Sequence, residues 1–513
     1  MAMSKTMPRG WEVVWMVVLV ATVLFLSLYD LEHYPPTSYD EGIHLLVART
    51  LALDGIYGFG PAVGPTVFFP VASAFLVAGV GLATARVVMV GYLVLCVATF
   101  YALVRYFRGW KVAATATLLF VFSPGVNLLR WGRQVLGEVP AMFFLLLGVL
   151  LWFKTLQEAR PWHRRGTLCL VGVLLGLTIL TKNQFLLLLP AWLVLWFLDR
   201  LYYRQAKHTH FLYPLVAAML CVLAWYVAQR LFFPFGERLA EHNVQEWSGA
   251  MARGILSFSV RRLLDNLNFL TGEDAFYAWM LPGALYALLL GTRRTQEGLR
   301  WGLLAVVTVT WLGWFVLVSV GWPRYAFPIL TAGALFTAQL FHDLTSGLRA
   351  PFSKLVIGVR SGQLDLARAR ELALVALGAL IVLHLASGRF MEVARGGNDA
   401  AQQMAAYIRE HLPRDSEIET YEPEICFLSG YRCHFPPYAA FNLAVRYVWY
   451  GGPPPSEYYD LGATGTPHLL IGDFGQWVHI YDPDIVARDY ELQASIGNYR
   501  LYRLKGDSGL DVP

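Results

Sequence analysis

A few charged side chains stand beside long apolar runs, and these are the residues whose types could do chemistry. Only 15% of the 513 residues are charged, so a charge kept beside an apolar run usually has a partner or a function. Asp40 and Glu41 are adjacent carboxylates that could accept a proton. Lys182 and Arg324 interrupt apolar sequence and could bind an anion.

Each of these residues also has a purely structural interpretation. Asp40 is a favoured residue type for a helix N-cap, although a cap can use one carboxylate oxygen and leave the other available. Lys182 could snorkel out of a tight turn, and Arg324 could pair with Glu138. His44, one turn after Asp40, could bind a metal with it or be a plain, partly exposed histidine.

The elements that must position these residues are predicted by hydropathy. The chain is 56% hydrophobic, and its apolar runs fill residues 11–388. A helix that crosses a bilayer needs about 20 apolar residues. Twelve runs approach this length: 11–30, 66–82, 87–104, 110–125, 139–154, 167–181, 184–199, 211–232, 276–291, 301–320, 324–342 and 370–388.

The Lys and Arg clusters between the runs predict the topology. If all twelve runs crossed, clusters such as Arg105 to Lys111 and Arg349 to Arg370 would face outward, against the positive-inside rule. The run 66–82 contains prolines and glycines and is short, so we expect it to be re-entrant or juxtamembrane. About 11 transmembrane helices remain, with the N-terminus in the cytoplasm. The net charge of +5 lies in these clusters and forms no stripe for nucleic acid.

On this topology the outer face collects the candidate residues. The outer loops are 31–82, 126–138, 181–183, 233–275 and 321–323, and an amphipathic helix should begin near Asp40. The charged and tyrosine side chains gathered there are Asp40, Glu41, His44, Arg49, Arg130, Arg133, Glu138, Lys182, Arg324 and Tyr325. An internal ion-pair network is the structural account of Arg130, Arg133 and Glu138.

The fold class is therefore a polytopic α-helical membrane protein with a small extracytoplasmic α/β domain. The transmembrane domain spans 1–388 and the polar domain 389–513. In the polar domain we expect a helix at 398–411 and strands at 417–421, 468–472, 491–494 and 499–504. Cys426 and Cys433 could form a disulfide outside the cytoplasm or remain two buried thiols.

The order of these residues resembles the GT-C superfamily, in particular the family 39-like glycosyltransferases. This group includes protein O-mannosyltransferases and lipid A aminoarabinose transferases (ArnT-like proteins). The resemblance covers nearly the whole chain. It rests on Tyr39-Asp40-Glu41, Ala48-Arg49, Leu53 to Tyr57, Ser123-Pro124-Gly125, Arg133, Glu138, Leu180-Thr181-Lys182 and Pro323-Arg324-Tyr325.

The resemblance implies transfer of a sugar from a polyprenyl-phosphate donor to a lipid, glycan or protein acceptor at the outer face, with inversion. Asp40 then matches the general base, and Glu41 and Glu138 its acidic partners. The residues expected to bind the donor phosphate are Lys182, Arg324, Tyr325 and Arg133. No cofactor is certain, although Mg, Mn or Zn could bind at Asp40 and His44. The aminoarabinose transferases have a lysine just ahead of the re-entrant segment. The corresponding stretch here, Val63-Gly64-Pro65-Thr66, has none.

Two other classes stay open at this point. A transporter or flippase of a lipid-linked saccharide would also keep charges near the membrane, but it often shows inverted repeats, and none is evident here. A membrane scaffold would tolerate loss of Asp40. The expected location is the cytoplasmic membrane of a bacterium, among membrane lipid and with no nucleic-acid partner.

Overall fold

The computed structural model describes residues 9–57, 63–233, 258–271, 276–347, 366–437, 440–441, 443–444, 447–448 and 459–506. Most of the predicted outer loop 233–275 and most of the basic stretch Arg349 to Arg370 lie outside the described residues.

Every predicted apolar run lies on a helix, which confirms the predicted helical membrane class. The helices up to the polar domain are α1 (Arg9–Leu28), α2 (Tyr39–Asp54), α3 (Pro65–Ala78), α4 (Leu82–Arg108), α5 (Trp110–Phe122), α6 (Leu128–Arg133), α7 (Glu138–Thr155), α8 (Pro161–Thr181), α9 (Leu188–Leu198), α10 (Thr209–Phe232), α11 (Val260–Thr271), α12 (Phe276–Gly291), α13 (Gln296–Val318), α14 (Phe327–Leu344) and α15 (Leu366–Arg395). The last of these continues past residue 388, so the predicted domain boundary falls inside α15.

Helix length supports the membrane interpretation without fixing the number of spans. In the described ranges, seven helical stretches are long and apolar enough to cross a bilayer. The 14 residues of α3 extend about 21 Å, less than the ~30 Å apolar core of a membrane. The 13 residues of α5 are no longer, so length alone does not separate a re-entrant helix from a spanning one. Eleven spans therefore stay a prediction.

Close helix packing fixes the turn that carries Lys182. Gly172 and Gly176 on α8 face α10, where a Cβ on Gly172 would lie 2.9 Å from the Cα of Pro214. Small residues of this kind let membrane helices approach closely. The helix α8 ends at Thr181, and a 3-10 helix, Asn183–Leu187, follows at once. The predicted tight turn at Lys182 is thus confirmed.

The polar domain is a five-stranded mixed sheet with short helices, as its α/β pattern predicts. Its elements are α16 (Ala400–His411), β1 (Glu417–Thr420), α17 (Pro423–Ser429), β2 (Arg432–His434), β3 (His468–Ile471), α18 (Asp473–Val478), α19 (Pro483–Asp489), β4 (Tyr490–Ile496) and β5 (Tyr499–Leu504). The strand order is β2-β1-β3-β5-β4. Strands β2, β1 and β3 are parallel, and β5 is antiparallel to both of its neighbours. A disulfide joins Cys426 to Cys433, so of the two predicted alternatives the structure has the disulfide and not two buried thiols.

The polar domain packs directly on α2. A Cβ on Gly42 of α2 would lie 2.7 Å from the Cα of Glu424 and 2.8 Å from the carbonyl carbon of Pro423, so glycine is required for this approach to α17. Beside this contact, the ring of Tyr39 stacks on Phe474 of α18 with centroids 3.7 Å apart. The helix that carries Asp40 is therefore held from both sides, by the membrane helices and by the polar domain.

Candidate active site

Asp40 lies in the first turn of α2 and is not its cap. The N-cap is Ser38, whose hydroxyl accepts a hydrogen bond from the backbone N–H of Glu41 at 3.5 Å. The cap interpretation of Asp40 is therefore wrong, because Ser38 occupies that position. The helix ends at Gly55, whose φ of +68° suits a glycine. With the cap supplied by Ser38, the carboxylate of Asp40 remains available for other contacts.

Four of the predicted residues converge in one charged cluster. The carboxylate of Asp40 lies 2.6 Å from Nη2 of Arg324. Glu138, the first residue of α7, accepts from Nζ of Lys182 at 2.5 Å and lies 3.5 Å from Nε of Arg324. Glu138 thus lies between the two cations. The predicted pair of Arg324 with Glu138 is present, and the contact of Arg324 with Asp40 is one that the sequence did not predict.

Local sequence explains why this cluster can form. Gly137 precedes Glu138, and a Cβ there would lie 2.9 Å from both the Thr181 carbonyl oxygen and Cδ of Lys182. The missing side chain lets the lysine turn pass close to the start of α7. Arg324 lies in a 3-10 helix, Pro323–Ala326, which begins on proline because its fixed φ suits the first helical turn.

The members of the cluster differ in exposure. The side chains of Lys182 and Glu138 are only 3% and 4% exposed, whereas that of Asp40 is 27% exposed. Tyr325 is buried beside the cations, with its ring centroid 5.7 Å from Nζ of Lys182. Asp40 is therefore the carboxylate of this cluster that solvent and a substrate can reach.

The electrostatics keep Asp40 ionised at neutral pH. Burial raises the pKa of Asp40, but the positive charges of Arg324 and Lys182 lower it by more, so its pKa lies below the ordinary aspartate value. Asp40 also raises the pKa of Arg324 against the lowering effect of burial. In this state the two residues are a closed ion pair, and Asp40 becomes a better base only when another anion engages Arg324.

The side chain of Glu41 contacts Arg86, whereas the resemblance implied that Glu41 is an acidic partner of Asp40. Its two carboxylate oxygens accept from Nε and Nη2 of Arg86 at 2.9 and 2.7 Å, and one of them also accepts from the Val135 N–H at 3.1 Å. Both Glu41 and Arg86 are fully buried. This geometry supports a positioning role for Glu41, and the catalytic assignment stays a prediction. Sequence reasoning missed Arg86, although an arginine inside an apolar run was itself a signal.

His44 and Asp40 do not form a metal site of the expected kind. Nδ1 of His44 donates to the Val135 carbonyl at 2.6 Å, and burial lowers its pKa to about 4, so the ring is neutral at pH 7. Asp40 is paired with Arg324. Among the residues that the structure describes, no group of three His, Cys, Asp or Glu side chains converges. The donor set does not fit a metal, and no chemical step is assigned to one.

Arg133 is not brought into the charged cluster. It is completely buried and donates to the carbonyl oxygens of Leu26 at 3.2 Å and Tyr29 at 2.7 Å. Its guanidinium also lies 5.1 Å from the ring centroid of Tyr34. These contacts join α1 to the second outer loop, so they support a structural role and not the predicted contact with a donor phosphate.

A cleft opens in front of Asp40 and Arg324. Its volume is about 720 Å³, including the space at its mouth, and residues from both domains line it. The lining side chains are Ser38, Tyr39, Asp40, Arg130, Trp131, Gln134, Trp322, Pro323, Arg324, Phe474 and Trp477. Sequence reasoning missed the aromatic members of this set, because nothing local distinguishes Phe474 or Trp477 from core residues.

Comparison with known proteins identifies the fold. Residues 65–235 match the PMT family model, described as dolichyl-phosphate-mannose-protein mannosyltransferase. ArnT from Cupriavidus metallidurans, solved bound to undecaprenyl phosphate, superposes with a TM-score of 0.61 at 16% identity over 97% of this chain and 98% of that one. The Archaeoglobus fulgidus oligosaccharyltransferase, tethered with an acceptor peptide, gives 0.60 at 12% identity over 96% of this chain and 74% of that one. No curated protein sequence matches the chain.

A further structure of the archaeal enzyme agrees with these two. AglB from Archaeoglobus fulgidus, in complex with an inhibitory peptide and a dolichol-phosphate, gives a TM-score of 0.59 at 12% identity over 98% of this chain and 75% of that one. The resemblance to GT-C glycosyltransferases of the ArnT-like and protein mannosyltransferase-like kind is confirmed at the level of the fold.

Proposed function

We propose that this protein transfers a sugar from a polyprenyl-phosphate donor to an acceptor hydroxyl, with inversion at the anomeric carbon. The observation that carries the proposal is the contact of 2.6 Å between Asp40 and Arg324 at the floor of the cleft. It joins a carboxylate that can accept a proton to a cation that can hold a phosphate, and these are the two groups that such a transfer requires.

Lys182 and Arg324 are the expected ligands of the donor phosphate. Their charges are balanced in the cluster by Glu138 and Asp40, so the site is electrically satisfied without substrate. An arriving phosphate would compete with Asp40 for the guanidinium of Arg324, which can bind two phosphate oxygens at once. Glu138 would hold the two cations together while Asp40 is released. Tyr325 lies beside both cations and helps to exclude water from them.

The released Asp40 can then act as general base. It accepts the proton of the acceptor hydroxyl as the oxygen attacks the anomeric carbon from the face opposite the phosphate. The bond between the anomeric carbon and the phosphate oxygen breaks, and the electron pair leaves with the polyprenyl phosphate. Lys182 and Arg324 stabilise the negative charge that develops on that leaving group. Because there is a single displacement, the anomeric configuration inverts.

An apolar cavity next to the cations supports a lipid-linked donor. It lies between α4, α7, α13 and α14, with an enclosed volume of about 50 Å³ and about 570 Å³ when the space on its open side is included. Trp311 and Pro328 line it, and the indole N–H of Trp311 donates to the backbone oxygen of Tyr325 at 2.7 Å. Through this contact the wall of the cavity adjoins Tyr325, the neighbour of Arg324 in the chain, and we expect the first isoprene units to lie there. The undecaprenyl phosphate bound to ArnT and the dolichol-phosphate bound to AglB point to the same donor class.

The proposed orientation follows from the positive-inside rule. With the basic clusters in the cytoplasm, the charged cluster and the polar domain face the outer side of the membrane. A bacterial cytoplasmic membrane is the proposed location. Transfer of the sugar from the donor to the acceptor would then take place at the outer face of the membrane.

The test compares wild type with Asp40→Asn in lipid nanodiscs, with release of polyprenyl phosphate from a panel of polyprenyl-phosphate sugars as the readout. Asparagine keeps the size of the side chain but cannot accept the proton, so turnover should fall by roughly 10²–10⁴-fold. Asp54→Asn is the matched control, because Asp54 is exposed at the other end of α2. It should match wild type.

Three outcomes would contradict the proposal or its mechanism. Full activity in Asp40→Asn would exclude Asp40 as the base. Equal loss in Asp54→Asn would indicate general damage to α2. If wild type moves labelled lipid-linked saccharide across a proteoliposome membrane without consuming it, the alternative of a transporter or flippase is supported instead.

A further inference from the structure

The cleft in front of Asp40 has an aromatic wall that the transfer chemistry does not use. Phe474 and Trp477 come from α18 of the polar domain, whereas Trp131 comes from α6 and Trp322 precedes the 3-10 helix that carries Arg324. Tyr39 completes this wall next to Asp40. Five aromatic side chains, four from three helices and one from the residue before the 3-10 helix, thus line the cleft together with Asp40, the partly exposed carboxylate of the charged cluster.

The geometry of the wall leaves Trp477 at the mouth of the cleft. Phe474 is stacked on Tyr39 at 3.7 Å, and the ring of Trp477 is T-shaped against Phe474 at 5.8 Å. Trp322 is covered in part by the guanidinium of Arg324, which lies 4.4 Å from its ring centroid. The side chain of Trp477 keeps 42% of its surface exposed. A large indole exposed at the mouth of a substrate cleft offers a face to a ligand.

The polar groups of the cleft complement this face. The guanidinium of Arg130 is exposed and lies 5.2 Å from the ring centroid of Trp131. Gln134 and Ser38 also line the cleft, and Nε2 of Gln134 lies 3.5 Å from the Ser38 hydroxyl. Aromatic faces with hydrogen-bonding groups around them suit a pyranose, because a sugar ring presents C–H bonds on its faces and hydroxyls at its edge.

The walls are a poor match for an extended peptide. They are formed by residues of α2, α6, α18 and a 3-10 helix and by residues directly beside these helices. An extended peptide that adds to a sheet is bound through backbone hydrogen bonds to a strand edge, and among the residues that the structure describes no strand residue lines this cleft. The part of the cleft that a ligand could fill, about 280 Å³, is close to the lower end of the ~300–1,000 Å³ range of small-ligand sites.

We propose that the acceptor is a glycan, and that a pyranose ring of this glycan stacks on Trp477 so that a neighbouring hydroxyl meets Asp40. The inference rests on the proposed function, because it assigns the acceptor class of the same site. It makes Trp477 and Phe474 specificity-determining residues, and it gives the polar domain a direct part in substrate recognition.

The first experiment measures binding without turnover. Wild type in nanodiscs is examined by saturation-transfer NMR with maltotriose, with an N-acetylglucosamine trisaccharide and with a Ser/Thr-rich nonapeptide. We expect ring protons of at least one saccharide to receive saturation and the peptide to receive none. Trp477→Ala should weaken this binding by roughly tenfold, and Trp477→Phe, which keeps an aromatic face, should restore part of it.

The matched control is Trp162→Ala. Trp162 is also an exposed tryptophan beside an arginine, but it lies at the start of α8, about 30 Å along the helix from Lys182. It should bind saccharides as wild type does. With an active donor, Trp477→Ala should raise the KM for the glycan about tenfold and leave the KM for the donor unchanged.

The results separate this inference from the proposed function. Saccharide binding that survives in Trp477→Ala, peptide binding that depends on Trp477, or no binding by any of the three probes would overturn the glycan inference, whatever Asp40→Asn shows. Saccharide binding that depends on Trp477 in a protein that consumes no donor would uphold the glycan cleft and count against the transferase.

Discussion

The buried pair of Glu41 and Arg86 allows a sharp test of whether Glu41 positions α2 or takes part in the chemistry. Glu41→Ala removes the acceptor of three hydrogen bonds, two from Arg86 and one from the Val135 N–H. Arg86 retains its contact with the Leu31 carbonyl at 2.8 Å but loses its counter-charge. Because both side chains are completely buried, water cannot replace what is lost.

The expected magnitude follows from this burial. Removing one partner of a buried ion pair costs about 3–5 kcal/mol, whereas replacing both partners by apolar residues is often close to neutral. In Glu41→Leu with Arg86→Met, the Val135 N–H still lacks its acceptor, which costs about 1–3 kcal/mol. The double variant should therefore be more stable than Glu41→Ala and somewhat less stable than wild type.

The assay combines thermal unfolding of the detergent-purified proteins with donor turnover. Glu41→Ala should lower the melting temperature and the activity together, and the double variant should recover much of both. Arg488→Ala with Asp489→Ala is the control, because this ion pair is exposed on the polar domain and its loss should leave the melting temperature unchanged. A double variant that is as stable as wild type but inactive would refute the positioning role and return Glu41 to the catalytic residues.

Two further predictions address the charged cluster and the contact between domains. Arg324→Gln removes a cation that lowers the pKa of Asp40 while burial, which raises this pKa, remains. The acid limb of the kcat/KM profile should therefore move to higher pH. If this limb does not move, Asp40 is not the general base. Gly42→Ala would bring a Cβ to 2.7 Å from the Cα of Glu424, an overpacking that costs about 1–3 kcal/mol. It should reduce turnover by displacing Asp40, while Gly91→Ala, at a glycine inside α4 with open space around it, serves as a control for the loss of a glycine from a helix. Wild-type turnover in Gly42→Ala would show that docking of the polar domain does not set the position of Asp40.

The sequence by itself determined the membrane part of this protein closely. Transfer of a long apolar run into a bilayer is a local property, so the twelve runs could be located without any tertiary contact. The penalty for a charge at the edge of the apolar region is also local. It was enough to select Asp40, Glu138, Lys182 and Arg324, which converge in space although they lie on three helices and a turn.

The tertiary structure decided which partner each charge has. Glu41 follows Asp40 directly, yet successive helical residues point about 100° apart, so one reaches Arg324 and the other Arg86. No sequence pattern sets the helix crossings that bring Arg86 there. The same holds for Phe474, which meets Tyr39 only because the polar domain packs on α2. Hydropathy and charge are properties of single residues and short segments. Pairing depends on the packing of segments that are far apart in the chain, as Asp40 is from Arg324 and Tyr39 is from Phe474, and this packing assembles the cleft.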